Sequence, residues 1–122
     1  MEDAIKEIYE SIGRGYSECT YHRALEFELR SLGISYESEK IIPILYKGQQ
    51  VGYRRADLVL NDLVIELKAV SSLSKNTIEI EQITSYMEHL GIDKGMIINF
   101  GNTLQVIDVN INENGEVQAT IR

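Results

Sequence analysis

The sequence predicts an α/β (α+β) fold with the element order ααβββαβββ, in which helices flank a mixed β-sheet. Three observations lead to this prediction. Apolar residues recur at helical spacing in three segments, they alternate or run together in six shorter segments, and glycines or turn pairs separate the segments. A chain of 122 residues has the usual size of one compact domain, so residues 1–122 are expected to form a single domain.

Helices are predicted at residues 2–12, from about Ser17 to Leu32 and from about Asn76 to Leu90. Ser17 suits the N-cap position of the second helix because its hydroxyl can accept a hydrogen bond from a free backbone N–H there. Gly33 and Gly91 can take the left-handed conformation that ends a helix, so they mark the ends of the second and third helices.

Strands are predicted at residues 36–46, 51–60, 63–70, 96–100, 104–110 and 116–121. A turn at 47–50 separates the first two strands, and the Asn114-Gly115 pair suits a hairpin turn between the last two. The run 96–100 is nearly all apolar, which indicates a strand that is covered on both faces.

The overall charge restricts the function only in part. A net charge of -7 and a pI of about 4.8 argue against a protein whose main task is to coat nucleic acid. The cations are unevenly placed, however, because five of the twelve lie in one middle segment: Lys47, Arg54, Arg55, Lys68 and Lys75. A nuclease therefore stays compatible with the composition.

The cellular setting follows from two simple features. The single cysteine, Cys19, cannot form an internal disulfide, so nothing indicates an oxidising compartment. No stretch is apolar for long enough to cross a bilayer. A soluble, intracellular protein without a membrane partner is therefore expected.

The most informative segment is 55–68, which reads as a hairpin. If Asn61-Asp62 is a two-residue loop, then Asp57 lies opposite Glu66, with Cβ atoms about 4.5–5.5 Å apart. One face of the hairpin would carry Ala56, Leu58, Leu60, Leu63, Ile65 and Leu67, and the other Arg55, Asp57, Val59, Val64, Glu66 and Lys68. Two such carboxylates repel unless a cation or a shared proton neutralises them, so the pattern predicts a Mg²⁺ site. The alternative is a solvated charged face.

Two helices add polar residues that could join this site. Glu18 lies at the spacing of the apolar stripe Tyr21, Leu25, Leu29 and Leu32, where a carboxylate is costly unless it is paired or binds a ligand. The alternative is that Glu18 only favours the helix dipole in the first turn. In the third helix Glu79, Gln82 and Tyr86 share one face, and Tyr86 could stack on a base or pack in the core.

Several segments in register carry a family resemblance. They are GYSECTY at 15–21 followed by Ala24-Leu25, Pro43 with Tyr46-Lys47-Gly48, Arg55-Ala56-Asp57-Leu58, VIELKAV at 64–70, Gln82 with Tyr86, and Ile98-Asn99-Phe100-Gly101. Together they resemble the GxxExxY family, which is placed in the PD-(D/E)XK nuclease superfamily. One departure is Arg14, where many relatives have proline.

The resemblance implies a restriction-endonuclease-like core with a metal site. Mg²⁺ or Mn²⁺ would be held by Asp57, Glu66 and the backbone carbonyl of Leu67, and Glu18 would correspond to the helix carboxylate of the superfamily as a further candidate ligand. Lys68 would orient or polarise the attacking water. Gln82 and Tyr86 match a Gln-xxx-Tyr element of the RecB-like branch.

The resulting functional hypothesis is metal-dependent hydrolysis of DNA phosphodiester bonds. Its catalytic set is Glu18, Asp57, Glu66, Lys68 and Gln82, and its expected DNA contacts are Tyr86, Arg54, Arg55 and Lys47. DNA is thus the expected partner, and a homodimer is a further expectation because many enzymes of the superfamily act as dimers.

Two alternatives stay open at this stage. The first is a catalytically weak or inactive module of the same fold that binds nucleic acid or a protein partner, which the acidic pI and the short chain favour. In the second, the polar hairpin face serves only as a dimer surface.

Overall fold

A computed structural model describes residues 1–74 and 78–122 of the chain. The described elements follow the predicted order ααβββαβββ: α1 (Glu2–Ile12), α2 (Glu18–Ser31), β1 (Glu37–Tyr46), β2 (Gln49–Val59), β3 (Val64–Lys68), α3 (Ile78–Leu90), β4 (Lys94–Phe100), β5 (Leu104–Ile111) and β6 (Val117–Ile121). The predicted start of the third helix at Asn76 lies outside the described residues.

The glycine stops of α2 and α3 are confirmed. Gly33 and Gly91 have φ of 70° and 69°. After each glycine the chain turns back, because Ile34 N–H donates to Leu29 O at 2.9 Å and Ile92 N–H donates to Met87 O at 2.9 Å. None of the described helices is long and apolar enough to cross a membrane.

The six strands form one mixed sheet in the order β1-β2-β3-β4-β5-β6. Only β3 and β4 run parallel, because α3 carries the chain back across the sheet between them; the other neighbouring pairs are antiparallel. This topology places the C-terminal ends of β3 and β4 side by side, with Lys68 opposite Asn99.

Helices cover the sheet on both faces. One core cluster joins α1 and α2 to the sheet, with Tyr21 and Phe100 stacked in parallel at a centroid distance of 4.3 Å. The other cluster joins α3 to the opposite face through Ile83 and Met87. Residues 95–100 of β4 are all buried, which confirms the prediction that this strand is covered on both faces.

The turn between β1 and β2 is tighter than predicted. Lys47 and Gly48 both have positive φ, 49° and 79°, as a two-residue type I′ turn requires. Gln49 and Gln50 therefore belong to β2 and pair with Tyr46 and Leu45 instead of forming part of the loop.

The predicted register of the β2–β3 hairpin is confirmed. Leu58 pairs with Ile65 and Val59 with Val64, and Leu60 N–H donates to Leu63 O at 2.8 Å across the Asn61-Asp62 loop. The pairing ends one residue before Asp57 and Glu66, which remain neighbours because Asp57 N–H donates to Glu66 Oε1 at 3.0 Å.

The predicted division of the hairpin into two faces is wrong at one position. Leu58 packs on the α2 side of the sheet, whereas Ala56 packs on the α3 side together with Val59. Strict alternation would place Ala56 and Leu58 on the same face. The interruption falls at Asp57, opposite the point where Glu39 of β1 has a φ of 52°. A local irregularity of this kind changes the direction in which a side chain points, and here it changes the direction of the Asp57 side chain.

Side-chain amides fix the segment that follows β3. Asn99 is fully buried, accepts a hydrogen bond from Val70 N–H at 2.9 Å and donates one to Val70 O at 2.9 Å. In the same way, Gln105 accepts a hydrogen bond from Leu73 N–H at 2.9 Å and donates one to Leu73 O at 3.1 Å. The two side-chain amides are also bonded to each other, because Asn99 Nδ2 donates to Gln105 Oε1 at 3.0 Å. We call Asn99 and Gln105 the amide clamp. It holds the chain for five residues beyond Lys68.

Gly101 allows this close approach, which gives a first prediction. A Cβ at Gly101 would lie 2.1 Å from Val70 O and 2.8 Å from Ser71 O, both backbone atoms that cannot rotate away. We expect Gly101→Ala to lower the free energy of unfolding by about 3 kcal/mol, measured by urea denaturation. Gly52→Ala is the control, because the nearest atom to its Cβ is Ile44 Cδ1 at 3.8 Å, and it should change stability by less than about 0.5 kcal/mol. Equal effects of the two substitutions would contradict the role given to Gly101.

Candidate active site

The carboxylates of Asp57 and Glu66 each accept a backbone hydrogen bond where β2 and β3 separate. Asp57 N–H donates to Glu66 Oε1 at 3.0 Å, and Leu67 N–H donates to Asp57 Oδ2 at 2.8 Å. Each carboxylate thus takes up a backbone N–H that would otherwise lack a partner next to the core. The two carboxylates are therefore held together rigidly, without free rotation on an exposed face.

The electrostatics of Glu66 are unfavourable for a bare carboxylate. Only 6% of the residue is exposed, and burial together with the negative charge of Asp57 raises the pKa of Glu66 from 4.5 to about 8. The positive charge of Lys68 lowers the pKa of Glu66, but this effect is weaker. A proton or a cation would neutralise the pair, and the burial of Glu66 argues against a purely solvated charged face.

The donor set fits one kind of metal ion. In the described part of the chain, no group of three or more His, Cys, Asp and Glu side chains is arranged to hold a metal. The protein would therefore supply two carboxylates, with the Leu67 carbonyl beside them. Mg²⁺ needs only one or two protein carboxylates and completes its shell with water or phosphate oxygens, whereas Ca²⁺ or structural Zn²⁺ requires more protein ligands.

Glu18 lies on the α2 side of the carboxylate pair. It is exposed in the first turn of α2, so the expectation that it faces the core is wrong. The core stripe of α2 consists of Tyr21, Leu25 and Leu29, and Leu32 at its other end is also 53% exposed. Glu18 nevertheless lines a cavity of about 350 Å³ together with Asp57 and Leu67. It therefore faces the same space as Asp57 from the opposite wall.

Sequence reasoning missed a polar chain on the same wall. His22 Nε2 lies 2.8 Å from Ser38 Oγ and 3.4 Å from Glu26 Oε1, and Tyr36 OH donates to Glu26 Oε2 at 3.2 Å. The signal was present in the sequence, because Glu18, His22 and Glu26 recur every four residues on one helix face. These contacts fix the start of α2 against β1.

Gln82 and Tyr86 approach the pair from the α3 side. Tyr86 is 2% exposed, and its pKa is raised by burial and by the negative charge of Glu66; Arg54 and a hydrogen bond with Gln82 act in the opposite direction. A ring buried to this extent offers no face to a nucleotide base, so base stacking by Tyr86 is corrected to core packing. Its hydroxyl and Gln82 instead belong to the surroundings of Glu66.

The predicted cations lie at two different distances from the pair. Lys68 ends β3, two residues after Glu66, and is half-buried. Arg54 and Arg55 precede Asp57 in β2 and are exposed. Lys47 lies in the turn at the far end of the hairpin, and the eight residue steps from Gln49 to Asp57 alone span roughly 26 Å at about 3.3 Å per residue. Lys47 is therefore not part of the immediate site.

A larger cavity elsewhere does not compete with this site. It has a volume of about 640 Å³ and lies near the N-terminal ends of β3 and β4, where it is lined by Asn61 and Lys94 among others. Neither Asp57 nor Glu66 lines it.

Comparison with known proteins gives matches of two kinds, to a family profile and to solved structures. A sequence profile of the PD-(D/E)XK nuclease superfamily matches residues 1–110. Among solved structures, the chain is similar to the one titled "Crystal structure of SSO0001", with 21% identity and a TM-score of 0.53. The matched region covers 73% of this chain and 48% of that chain, so this chain spans about half of that structure's length. At this identity the similarity bears on the fold alone. No curated protein matches the chain.

The raised pKa of Glu66 predicts how stability depends on pH. Between pH 4.5 and about 8 the folded state binds a proton that the unfolded state has released, so stability due to Glu66 is lost as the pH rises through that range. Glu66→Gln keeps an acceptor for Asp57 N–H and does not titrate. In EDTA at pH 8 we expect it to be more stable than the wild type by roughly 1–3 kcal/mol, with a smaller difference at pH 5.

Thermal and urea unfolding of both proteins across this range provide the measurement. Glu81→Gln, at an exposed position of α3, is the matched control and should parallel the wild type at every pH. A constant difference between Glu66→Gln and wild type would contradict the raised pKa.

Proposed function

The chain belongs to the PD-(D/E)XK nuclease superfamily, and on this basis we propose that it is a metal-dependent nuclease that hydrolyses DNA phosphodiester bonds. The observation that carries the proposal is that both carboxylates accept backbone hydrogen bonds, Glu66 from Asp57 N–H and Asp57 from Leu67 N–H, which holds the half-buried Asp57 beside the buried Glu66. Membership of the GxxExxY family within the superfamily is part of this proposal.

Asp57 and Glu66 hold the cation in this proposal, with the Leu67 carbonyl as a further ligand. Each carboxylate accepts one backbone hydrogen bond through one oxygen, Asp57 Oδ2 or Glu66 Oε1, which leaves its second oxygen for a ligand. A bound Mg²⁺ or Mn²⁺ supplies Lewis-acid charge at the phosphoryl group and lowers the pKa of bound water. Because the two carboxylates are already fixed by the backbone, they lose little freedom when the ion binds.

Lys68 positions the attacking water and offsets developing negative charge. It follows Glu66 by two residues on the same strand, so both side chains leave the sheet on one face. The parallel ladder with β4 holds it on one side, and the amide clamp holds the chain that follows it. Its ammonium is thus presented from a rigid strand, as electrostatic stabilisation of a transition state requires.

Glu18, Gln82 and Tyr86 complete the site from the two helices. Glu18 lines the same cavity as Asp57 on the α2 side and would hold a water bound to the cation. Gln82 lowers the pKa of the Tyr86 phenol, whereas the negative charge of Glu66 raises it, so all three side chains act on one another. Glu18 is exposed and able to reach solvent-bound ligands, whereas Tyr86 acts through Glu66 and is a positioning residue.

Metal binding gives the most direct test of the site. Isothermal titration of the wild type with Mg²⁺ and with Mn²⁺ should show one binding event that Asp57→Ala abolishes or weakens by at least about tenfold, equivalent to about 1.4 kcal/mol. Asp62→Ala, in the exposed loop of the same hairpin, is the matched control and should bind like the wild type. Identical titration curves for Asp57→Ala and wild type would rule out the assigned ligand.

Cleavage assays test the activity itself. Linear duplex, single-stranded and branched DNA should be cut in the presence of Mg²⁺ or Mn²⁺ and left intact in EDTA. Lys68→Ala should lower kcat/KM by about 100-fold or more, as is typical for loss of a group that stabilises developing charge. Lys94→Ala removes an exposed lysine at the opposite end of the β3–β4 pair and should leave kcat/KM unchanged. Metal binding without cleavage of any substrate would support the inactive-module alternative instead.

A further inference from the structure

The β1–β2 hairpin extends beyond the rest of the sheet. β3 pairs with β2 only at Leu58 and Val59, whereas β1 and β2 pair with each other from Glu37 to the Lys47-Gly48 turn. Residues 40–55, which we call the arm, therefore form a two-stranded ribbon that no third strand borders among the described residues. Asp57 lies directly at the base of the arm.

The charge of the arm is opposite to that of the whole chain. The arm carries four cationic side chains (Lys40, Lys47, Arg54 and Arg55) and no Asp or Glu, in a chain of net charge -7. Lys40 is paired with Glu37 at 2.7 Å. Within 1–74 and 78–122, the other three cations form no ion pair with a carboxylate, and all three are exposed. Their positive field is thus directed at solvent.

Two of these cations are oriented before any ligand binds. Lys47 Nζ lies 5.4 Å from the centre of the Tyr46 ring, and Arg55 Cζ lies 5.7 Å from the centre of the Tyr53 ring. These contacts restrict long side chains that would otherwise lose freedom on binding. They also cover one face of each ring, which makes the tyrosines less suited to base stacking and the cations better suited to phosphate contact.

We infer that the arm lies along the sugar-phosphate backbone of duplex DNA and delivers a phosphodiester to the Asp57–Glu66 pair. This inference rests on the proposed function and adds the substrate form and the surface that binds it. A two-stranded β-ribbon fits the major groove of B-DNA, which is about 12 Å wide. The strand from Gln49 to Asp57 spans roughly 26 Å at about 3.3 Å per residue, which corresponds to about eight base pairs at 3.4 Å each.

The arm also exposes apolar side chains, which a second copy of the chain could cover instead of DNA. Leu45 and Val51 are 60% and 64% exposed near the tip. The arm of a second copy could cover them, but an arm-to-arm contact would bring the exposed cations of both arms together, which is costly. Contact with sugars and thymine methyl groups leaves the cations on phosphates, so DNA accounts for both features.

The test measures binding separately from cleavage. All proteins carry Asp57→Asn, which keeps an acceptor oxygen for Leu67 N–H, and the probe is a 30-base-pair duplex in EDTA. Lys47→Gln/Arg55→Gln is compared with Lys6→Gln/Lys94→Gln, a matched pair that removes two exposed cations outside the arm and gives the same net charge. Affinity is measured by fluorescence anisotropy at several NaCl concentrations.

We expect the arm pair to weaken binding by roughly tenfold or more at 0.1 M NaCl and to reduce the slope of log K against log[NaCl] by about 2, since each phosphate contact contributes about 0.9. The matched pair should change affinity by less than about twofold and leave the slope unchanged. Equal losses for the two pairs would overturn the inference, because they would show an effect of net charge alone.

Sedimentation velocity tests whether a second copy of the chain binds to the arm. If the wild type is a dimer and Leu45→Ser/Val51→Ser converts it to a monomer while duplex binding is unchanged, the arm is a subunit interface and the inference fails. Arm-dependent duplex binding by a wild type that cleaves nothing would leave the inference standing and refute the proposed nuclease activity.

Discussion

The structure around the site depends on which acceptors bind the backbone N–H groups where β2 and β3 separate. After two regular pairs the strands separate, and the N–H groups of Asp57 and Leu67 donate to carboxylates instead of continuing the ladder. This separation lets residues 40–55 extend away from the sheet while Asp57 and Glu66 stay at its edge. A regular ladder at this point would leave two like charges directly opposite each other with no compensating bonds, which destabilises a sheet.

Helices packed on both faces restrain the sheet around this point. The parallel β3–β4 pair is covered by α1 and α2 on one face and by α3 on the other. The stacked rings of Tyr21 and Phe100 tie α2 to β4, and Tyr21 OH donates to Gly13 O at 2.6 Å, which fixes the loop before α2. The carboxylates of Asp57 in β2 and of Glu18 at the start of α2 thereby face one cavity.

Features with a local cause could be predicted from the sequence. The order of elements, the Asn61-Asp62 register and the glycine helix ends follow from periodicity and turn chemistry. The side to which Ala56 and Asp57 point could not be predicted, because it depends on an irregularity opposite Glu39 in a different strand. Helical spacing placed Glu18 on the core stripe, but spacing does not reveal where the covering sheet ends. The proximity of Asp57 and Glu66 could be predicted because both residues lie in one hairpin.

Long-range side-chain contacts could not be predicted from the sequence for the same reason. Asn99 and Val70 are 29 residues apart, and neither carries a local pattern that indicates the other. Yet their bonds have a consequence for dynamics. Lys68 lies between a buried parallel ladder and two amide side chains that bind the following chain as a further strand would, so neither flank can fray independently. Amide hydrogens of this segment should therefore exchange with solvent only through opening of the β3–β4 core, which places the lysine in the most slowly exchanging unit of the protein.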